Sequence, residues 1–233
     1  MTGASRGIGR AITDALLPRL DLLVALAQDA GRLQELKVTL EQAKAGIQVS
    51  TIAVDLADSE STSKALDAWR FEYSDLEIDL LVLDAGTFTE GSLAKIPFDA
   101  FERDLRINLS SGVLIVQKVL PALLRSDSPR IFIIGSTAAY EKYPLVPSYA
   151  VAKWGLRAYA NELREELRDR KVGVTFISPG GTNTAMWEGE ELPPDRLLEP
   201  SDIGKLVASC LDLSEQAVVE ELIVRSIEGD IHE

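Results

Sequence analysis

Two side chains four positions apart, Tyr149 and Lys153, could together move a proton near neutral pH. On a helix that spacing stacks them one turn apart on the same face. An ammonium beside a phenol favours the phenolate and draws the group down from its ordinary value near ~10. A phenol tuned in this way can give a proton to a carbonyl under reduction, or take one from an alcohol. An exposed amphipathic helix face explains the pair as well, since one such match among five tyrosines is not rare. Ser136 strengthens the chemical reading. It follows the apolar run Ile131 to Gly135, so its hydroxyl would leave a strand end and reach a substrate oxygen; its plain alternative is a cap for the next turn. Asn108 stands inside a helical pattern, where Asn is a poor former, and marks either a bend serving a proton path or a solvent-facing amide.

A fourth feature opens the chain. The run Thr2-Gly3-Ala4-Ser5-Arg6-Gly7-Ile8-Gly9 has the glycine spacing of a turn that joins a buried strand to a helix, with backbone N–H groups facing a phosphate.

The elements that must position these groups alternate. Helical spacing covers Ile8 to Leu17, Gly31 to Lys44, Ser59 to Tyr73, two stretches flanking Asn108, Ser148 to Arg170 and Pro200 to Leu213. Between them lie strand-like runs at Leu22 to Ala27, Val49 to Val54, Ile78 to Leu83, Arg130 to Gly135, Val172 to Ile177 and Glu221 to Arg225. Continuous apolar runs of this length are strands covered on both faces, which predicts one α/β domain over residues 1–233 built on a doubly wound parallel sheet. Ligands in such sheets bind beyond the carboxyl ends of the strands. Asp55, Asp84, Ser136 and the Pro179-Gly180 turn each close a predicted strand.

In this order and at these intervals, Thr-Gly-x-x-x-Gly-x-Gly, Asp55, Asp84-Ala85-Gly86, Asn108, Ser136, Tyr149-x-x-x-Lys153 and Pro179-Gly180 followed by Thr184 resemble the short-chain dehydrogenase/reductase family. The resemblance implies a Rossmann-like domain that binds NAD(H) or NADP(H) and interconverts a neutral aldehyde or ketone with an alcohol. By that likeness Tyr149 is the general acid/base, Ser136 polarises the carbonyl, Lys153 holds the nicotinamide ribose, and Asn108 holds a water linking Lys153 to solvent. Gly3, Ser5, Arg6, Gly7, Ile8 and Gly9 would line the phosphates. Asp55 would meet the adenine, Asp84, Ala85 and Gly86 the cofactor's middle, and Thr182 and Thr184 the nicotinamide. After the strand at Leu22 the family places an acid for NAD or a base for NADP, whereas Ala27-Gln28 offers neither. With Arg6 as the basic group expected near a 2′-phosphate, NADP(H) is preferred over NAD(H). The segment Ala185 to Glu199 matches the family's substrate lid. Its Met186 and Trp187 suit a neutral bulky substrate, while Glu188, Glu190 and Glu191 disfavour an acidic one.

Two departures from the family pattern stand out. Asp84 replaces the usual Asn, which exchanges an amide donor for a charge. The strand that should precede the glycine turn has no sequence to form it, so the sheet is expected to lack its usual first strand, at its centre. That would leave unpaired backbone on both neighbours, a large cost against a total stability of about 5–15 kcal/mol. A start site chosen too far downstream would explain the gap more simply than an evolved deletion. Two rival readings follow: a non-catalytic nucleotide-binding or interaction protein inactivated by the truncation, and a relative catalysing epimerisation or dehydration.

Composition narrows partners. One Cys210 and one His232 leave neither a disulfide nor a His/Cys metal cluster. Residues 188–233 carry 13 acidic and 3 basic side chains of a chain with net charge −13, which would repel nucleic acid and anionic bilayers. With no membrane-length apolar run and no signal-peptide pattern, a cytoplasmic protein is expected. Val113, Val116, Leu120, Trp154 and Leu163 offer apolar material for a homodimer or homotetramer.

Overall fold

In the computed structural model, which describes residues 1–189, 193 and 196–229, the alternating pattern becomes parallel strands with helices on both faces. The order is α1 (Gly7–Leu16), β1 (Leu22–Ala27), α2 (Ala30–Ala43), β2 (Gln48–Ala53), α3 (Ser59–Glu72), β3 (Leu80–Leu83), α4 (Phe98–Leu105), α5 (Ser111–Leu123), β4 (Arg130–Ile134), α6 (Pro147–Leu167), β5 (Gly173–Pro179), α7 (Pro200–Leu211) and β6 (Glu221–Val224). His232, Glu190 and Glu191 lie outside the described residues. Boundaries follow local chemistry. Asp29 and Asp58 cap α2 and α3 by accepting the amides of Arg32 and Ser61, each at 3.0 Å, and Pro147 and Pro200 open α6 and α7.

All strand pairs are parallel: β1 with β2, and β3-β4-β5-β6 in that order. Successive side chains alternate between faces. Leu81, Leu83, Ile131, Ile133, Val174 and Phe176 join α5 and α6 on one side. Val82, Phe132, Ile134 and Ile177 meet Ile12 and Leu16 of α1 and Ile203 and Val207 of α7 on the other. The β1–β2 pair has its own apolar cluster, in which Leu33, Leu36 and Leu40 of α2 cover Leu23, Ala25 and Val49.

The site where the sequence predicts a missing strand is entered by Met1 to Gly3. The Thr2 amide donates to Val82 O of β3 at 3.0 Å, while the Gly3 amide donates to Leu26 O of β1 at 3.0 Å. The Leu26 amide in turn donates to Met1 O at 2.8 Å. This short segment therefore ties the two groups of strands together at the carboxyl ends, where the ligand crevice of such a sheet opens.

Two residues offered as interface material belong to the core: Val116 and Leu163 are buried, because a helix covering a sheet uses the same apolar spacing as one covering a partner. Trp154 is 49% exposed. Among the described residues, no helix is long and apolar enough to cross a membrane.

Candidate active site

A cleft of about 670 Å³ opens over the carboxyl ends of β1, β3 and β4. One wall is the glycine turn, with Gly3, Ser5, Arg6, Gly7 and Ile8. The other sequence-predicted residues in its lining are Asp55, Asp84, Ala85, Gly86, Tyr149, Lys153 and Thr184.

The turn works only with small residues. Gly3 sits at φ +69°, and a Cβ there would lie 2.6 Å from Asp84 Oδ2. On Gly9 a Cβ would lie 2.4 Å from Gly3 O, a backbone atom with no room to retreat. Gly9→Ala is thus expected to cost stability, about 1–3 kcal/mol as for other overpacked sites, and to abolish dinucleotide binding. Urea unfolding and a dinucleotide fluorescence titration check both parts.

Tyr149 and Lys153 occupy the first two turns of α6, with the ammonium 5.3 Å from the phenol ring centroid. Burial pushes the phenol up to about 12, with the Ser136 hydrogen bond working against that rise and Tyr143 and Asp84 adding to it. Burial of the phenol, not the pull expected from Lys153, dominates its shift. Burial brings Lys153 down to about 8, opposed by the charge of Asp84. Its Nζ donates to Ile134 O at 3.0 Å. Ser136 is buried; its Oγ accepts the Ala138 amide at 3.1 Å, which leaves the hydroxyl hydrogen for the phenol oxygen.

Asn108 stands at the centre of a π-helical turn, Arg106–Ser110, between α4 and α5. There the amide bridges to the loop after β3: Oδ1 accepts the Thr87 amide at 3.2 Å, and Nδ2 donates to Thr87 O at 2.7 Å. Asn108 flanks the cleft rather than lining it. A Cβ on Gly86 would lie 2.9 Å from Asn108 Oδ1 and 3.9 Å from Lys153 Nζ, so this glycine separates the two. Thr182 is also outside the lining, with its hydroxyl turned to Gly180 O at 2.9 Å.

Asp84, the residue in place of the usual Asn, has its carboxylate set into the glycine turn. Burial raises it to about 7, opposed by Lys153 and the Gly9 amide. Its own amide and that of Ala85 both donate to Thr2 Oγ1, at 2.9 and 3.1 Å.

Three contributions were not legible beforehand. Thr2 locks the loop after β3 to the glycine turn. Arg103 of α4 lines the cleft and pairs with Asp55 at 3.1 Å. Arg32 of α2 lines it beside Arg6, Gln28 and Asp29. Asp29 is the one acid at the end of β1, but its side chain caps α2 and pairs with Arg32 at 3.5 Å. A basic residue in the first turn of an amphipathic helix gives no signal for Arg32.

A family model described as short chain dehydrogenase matches residues 1–193. The chain belongs to this family. Short-chain dehydrogenases similar to it include a sepiapterin reductase of Chlorobaculum tepidum, 29% identical over all of this chain and 97% of the relative. A 3-oxoacyl-[acyl-carrier-protein] reductase of Salmonella typhimurium is 29% identical over 80% of this chain and 73% of its own. Among solved structures, an alcohol dehydrogenase of the archaeon Thermococcus sibiricus, complexed with 5-hydroxy-NADP, superposes with a TM-score of 0.88 at 26% identity, covering 100% of this chain and 97% of that one. The protein is therefore an oxidoreductase of the short-chain dehydrogenase family with a Rossmann-like fold.

Proposed function

We propose that this oxidoreductase uses NADP(H) to interconvert a neutral aldehyde or ketone and the corresponding alcohol, with Tyr149 as general acid/base. The observation that carries the reading is one cleft lined by a glycine turn, by two arginines, Arg6 and Arg32, and by Tyr149 with Lys153. The lining fits a dinucleotide phosphate: the turn leaves no space for a Cβ at Gly3 or Gly9, and a guanidinium fork suits a 2′-phosphate. Relatives solved with 5-hydroxy-NADP and with NADP support the same choice.

When bound, the nicotinamide supplies or accepts the hydride. The chain's residues do the rest. Tyr149, whose phenol keeps its proton at neutral pH, gives that proton to the carbonyl oxygen as negative charge develops there. Ser136 can turn its single hydroxyl hydrogen from the phenol oxygen to the carbonyl oxygen, and the Lys153 ammonium steadies the phenolate left behind. In the oxidative direction the same groups run in reverse. Half-exposed Met186 lines the cleft, and with the adjoining Trp187 it suits a neutral substrate, while Glu188 two residues on disfavours an acidic one. Oxidation of NADPH by a panel of neutral aldehydes and ketones tests the reading. No oxidation with any member, or undiminished oxidation by Tyr149→Phe, overturns it.

The arginines give a second test. Arg32→Ala and Arg6→Ala are each expected to weaken NADPH binding about tenfold, as for loss of one charge-assisted hydrogen bond, and to leave NADH binding unchanged. Equal losses for both dinucleotides would remove the arginines from 2′-phosphate recognition. Self-association forms part of the proposal: Val151 and Trp154 of α6 are 45% and 49% exposed on one helix, as expected for a homodimer or homotetramer contact.

A further inference from the structure

Asp104, in the last turn of α4, is 1% exposed, and no role above uses its side chain. A buried carboxylate is costly unless its oxygens are fully engaged. Here they are engaged by donors from two other parts of the chain. Asp104 Oδ2 accepts the Thr89 amide at 2.9 Å and also the Ser148 hydroxyl, while Oδ1 accepts the Thr89 hydroxyl at 3.2 Å. The backbone carbonyl of the same residue accepts Asn108 Nδ2 at 2.9 Å.

Each partner has a place in the site. Thr89 lies in the irregular stretch that follows β3 and forms the cleft wall at Asp84 to Thr87. That stretch has no regular ladder. Its amides at Asp84 and Ala85 go to Thr2, that of Thr87 to Asn108, and that of Thr89 to Asp104. Ser148 is fully buried and immediately precedes Tyr149 in the first turn of α6. One residue thus joins the cleft wall and the helix start that carries the phenol through its side chain, and the turn that carries Asn108 through its backbone carbonyl. Three hydrogen bonds converging on one buried carboxyl group hold both partners in a fixed geometry. The register of α6 against the cleft wall sets how far Tyr149 stands from a carbonyl held there.

We propose that Asp104 is a positioning residue for the reaction: through Ser148 and Thr89 it fixes the first turn of α6, and with it the Tyr149 phenol, against the cleft wall formed by Ala85 to Thr87. The inference rests on the proposed function in taking Tyr149 as the proton donor. It does not depend on the identity of the substrate. Misplacement of a reacting group by about 1 Å can cost on the order of 100-fold in rate. The loss should therefore appear in kcat and spare binding, because neither Asp104 nor Ser148 lines the cleft.

The experiment compares wild type, Asp104→Asn, Ser148→Ala and Tyr149→Phe. NADPH oxidation by the aldehyde and ketone panel is normalised to NADPH-binding sites counted by fluorescence, so that misfolded protein drops out. Asp104→Asn and Ser148→Ala are expected to lower kcat by about 10- to 100-fold, with KM and the NADPH dissociation constant within about twofold of wild type. A kcat within twofold of wild type in Ser148→Ala, or a loss carried by KM alone, overturns the inference. Should Asp104→Asn not fold, Ser148→Ala decides, since it deletes one hydroxyl and leaves the carboxylate its two Thr89 donors. Full activity in Tyr149→Phe overturns the proposed function instead. Were wild type to reduce no panel member, the proposed function would likewise fall, and deuterium exchange would decide the clamp. Ser148→Ala must then raise uptake in residues 85–91 and 147–153 together; a rise in one segment alone, or in neither, overturns it.

Discussion

Tyr149→Phe is expected to lower carbonyl turnover by about 10²–10⁴-fold, the usual contribution of a positioned general acid, with NADPH binding within about twofold of wild type. The ring keeps its packing, since only one oxygen is lost. No neighbour can replace its proton donation at the same point. The Lys153 ammonium is held by Ile134 O, 5.3 Å from the phenol ring centroid, and an alcohol such as Ser136 is a far weaker acid than a phenol. A loss of that size corresponds to about 3–5 kcal/mol of transition-state stabilisation. Steady-state NADPH oxidation, with binding measured separately by fluorescence, distinguishes it from a folding defect. A tenfold loss or less would mean that the proton comes from elsewhere.

The second large effect concerns Asp84. Its carboxyl titrates near 3.8 in the unfolded chain and about 7 in the folded protein. Between those values the folded state holds a proton that the unfolded state has released, so stability falls as pH rises through this window and levels off above it. The full penalty above pH 7 is about 4 kcal/mol, a large share of a typical domain's stability. Asp84→Asn removes the charge and keeps an acceptor for the Gly9 amide. The variant should be more stable than wild type by up to several kcal/mol at pH 8 and nearly equal at pH 4. Urea unfolding at the two pH values checks this, and parallel pH curves for the two proteins would contradict it. Loss of the Asp84 charge also lets Lys153 fall further below its present value of about 8, because the attraction that opposed burial is gone. NADPH should bind the variant more tightly at pH 8, where one negative charge leaves the glycine turn.

What the sequence reveals of this site depends on how far apart the interacting residues are. Tyr149 and Lys153 lie on one helix, so their spacing alone places them together. Strand ends are equally local signals, and Asp55, Asp84 and Ser136 were found by them. Asp104 was invisible because its partners lie 15 residues before it and 44 after, and nothing in either neighbourhood marks them. The bend at Asn108 was legible as a poor helix former, whereas its form, a π-helical turn with the amide spanning to Thr87, arises from tertiary contact. Thr182, placed at the nicotinamide by the family likeness alone, lies outside the cleft lining with its hydroxyl donated to the Gly180 carbonyl. The raised phenol has the same origin: spacing indicates which charge is nearby, and only packing sets how much water is lost.

The segment Met1 to Gly3 carries a consequence for the free energy of the whole molecule. The unit of β1, α2 and β2 has its own apolar cluster on one face, shares the main core through Leu26, Val24 and Ile52 on the other, and reaches β3 by backbone hydrogen bonds through Met1 to Gly3. Units joined to their sheet by few backbone hydrogen bonds can open at a lower cost than the whole molecule. A ligand seated on the glycine turn touches both sides of the seam. Part of its intrinsic affinity is then spent closing the seam, and by linkage the same contacts raise resistance to unfolding by RT ln(1 + [L]/Kd). Cofactor concentration in the surrounding medium thereby becomes a determinant of how cooperatively the chain unfolds.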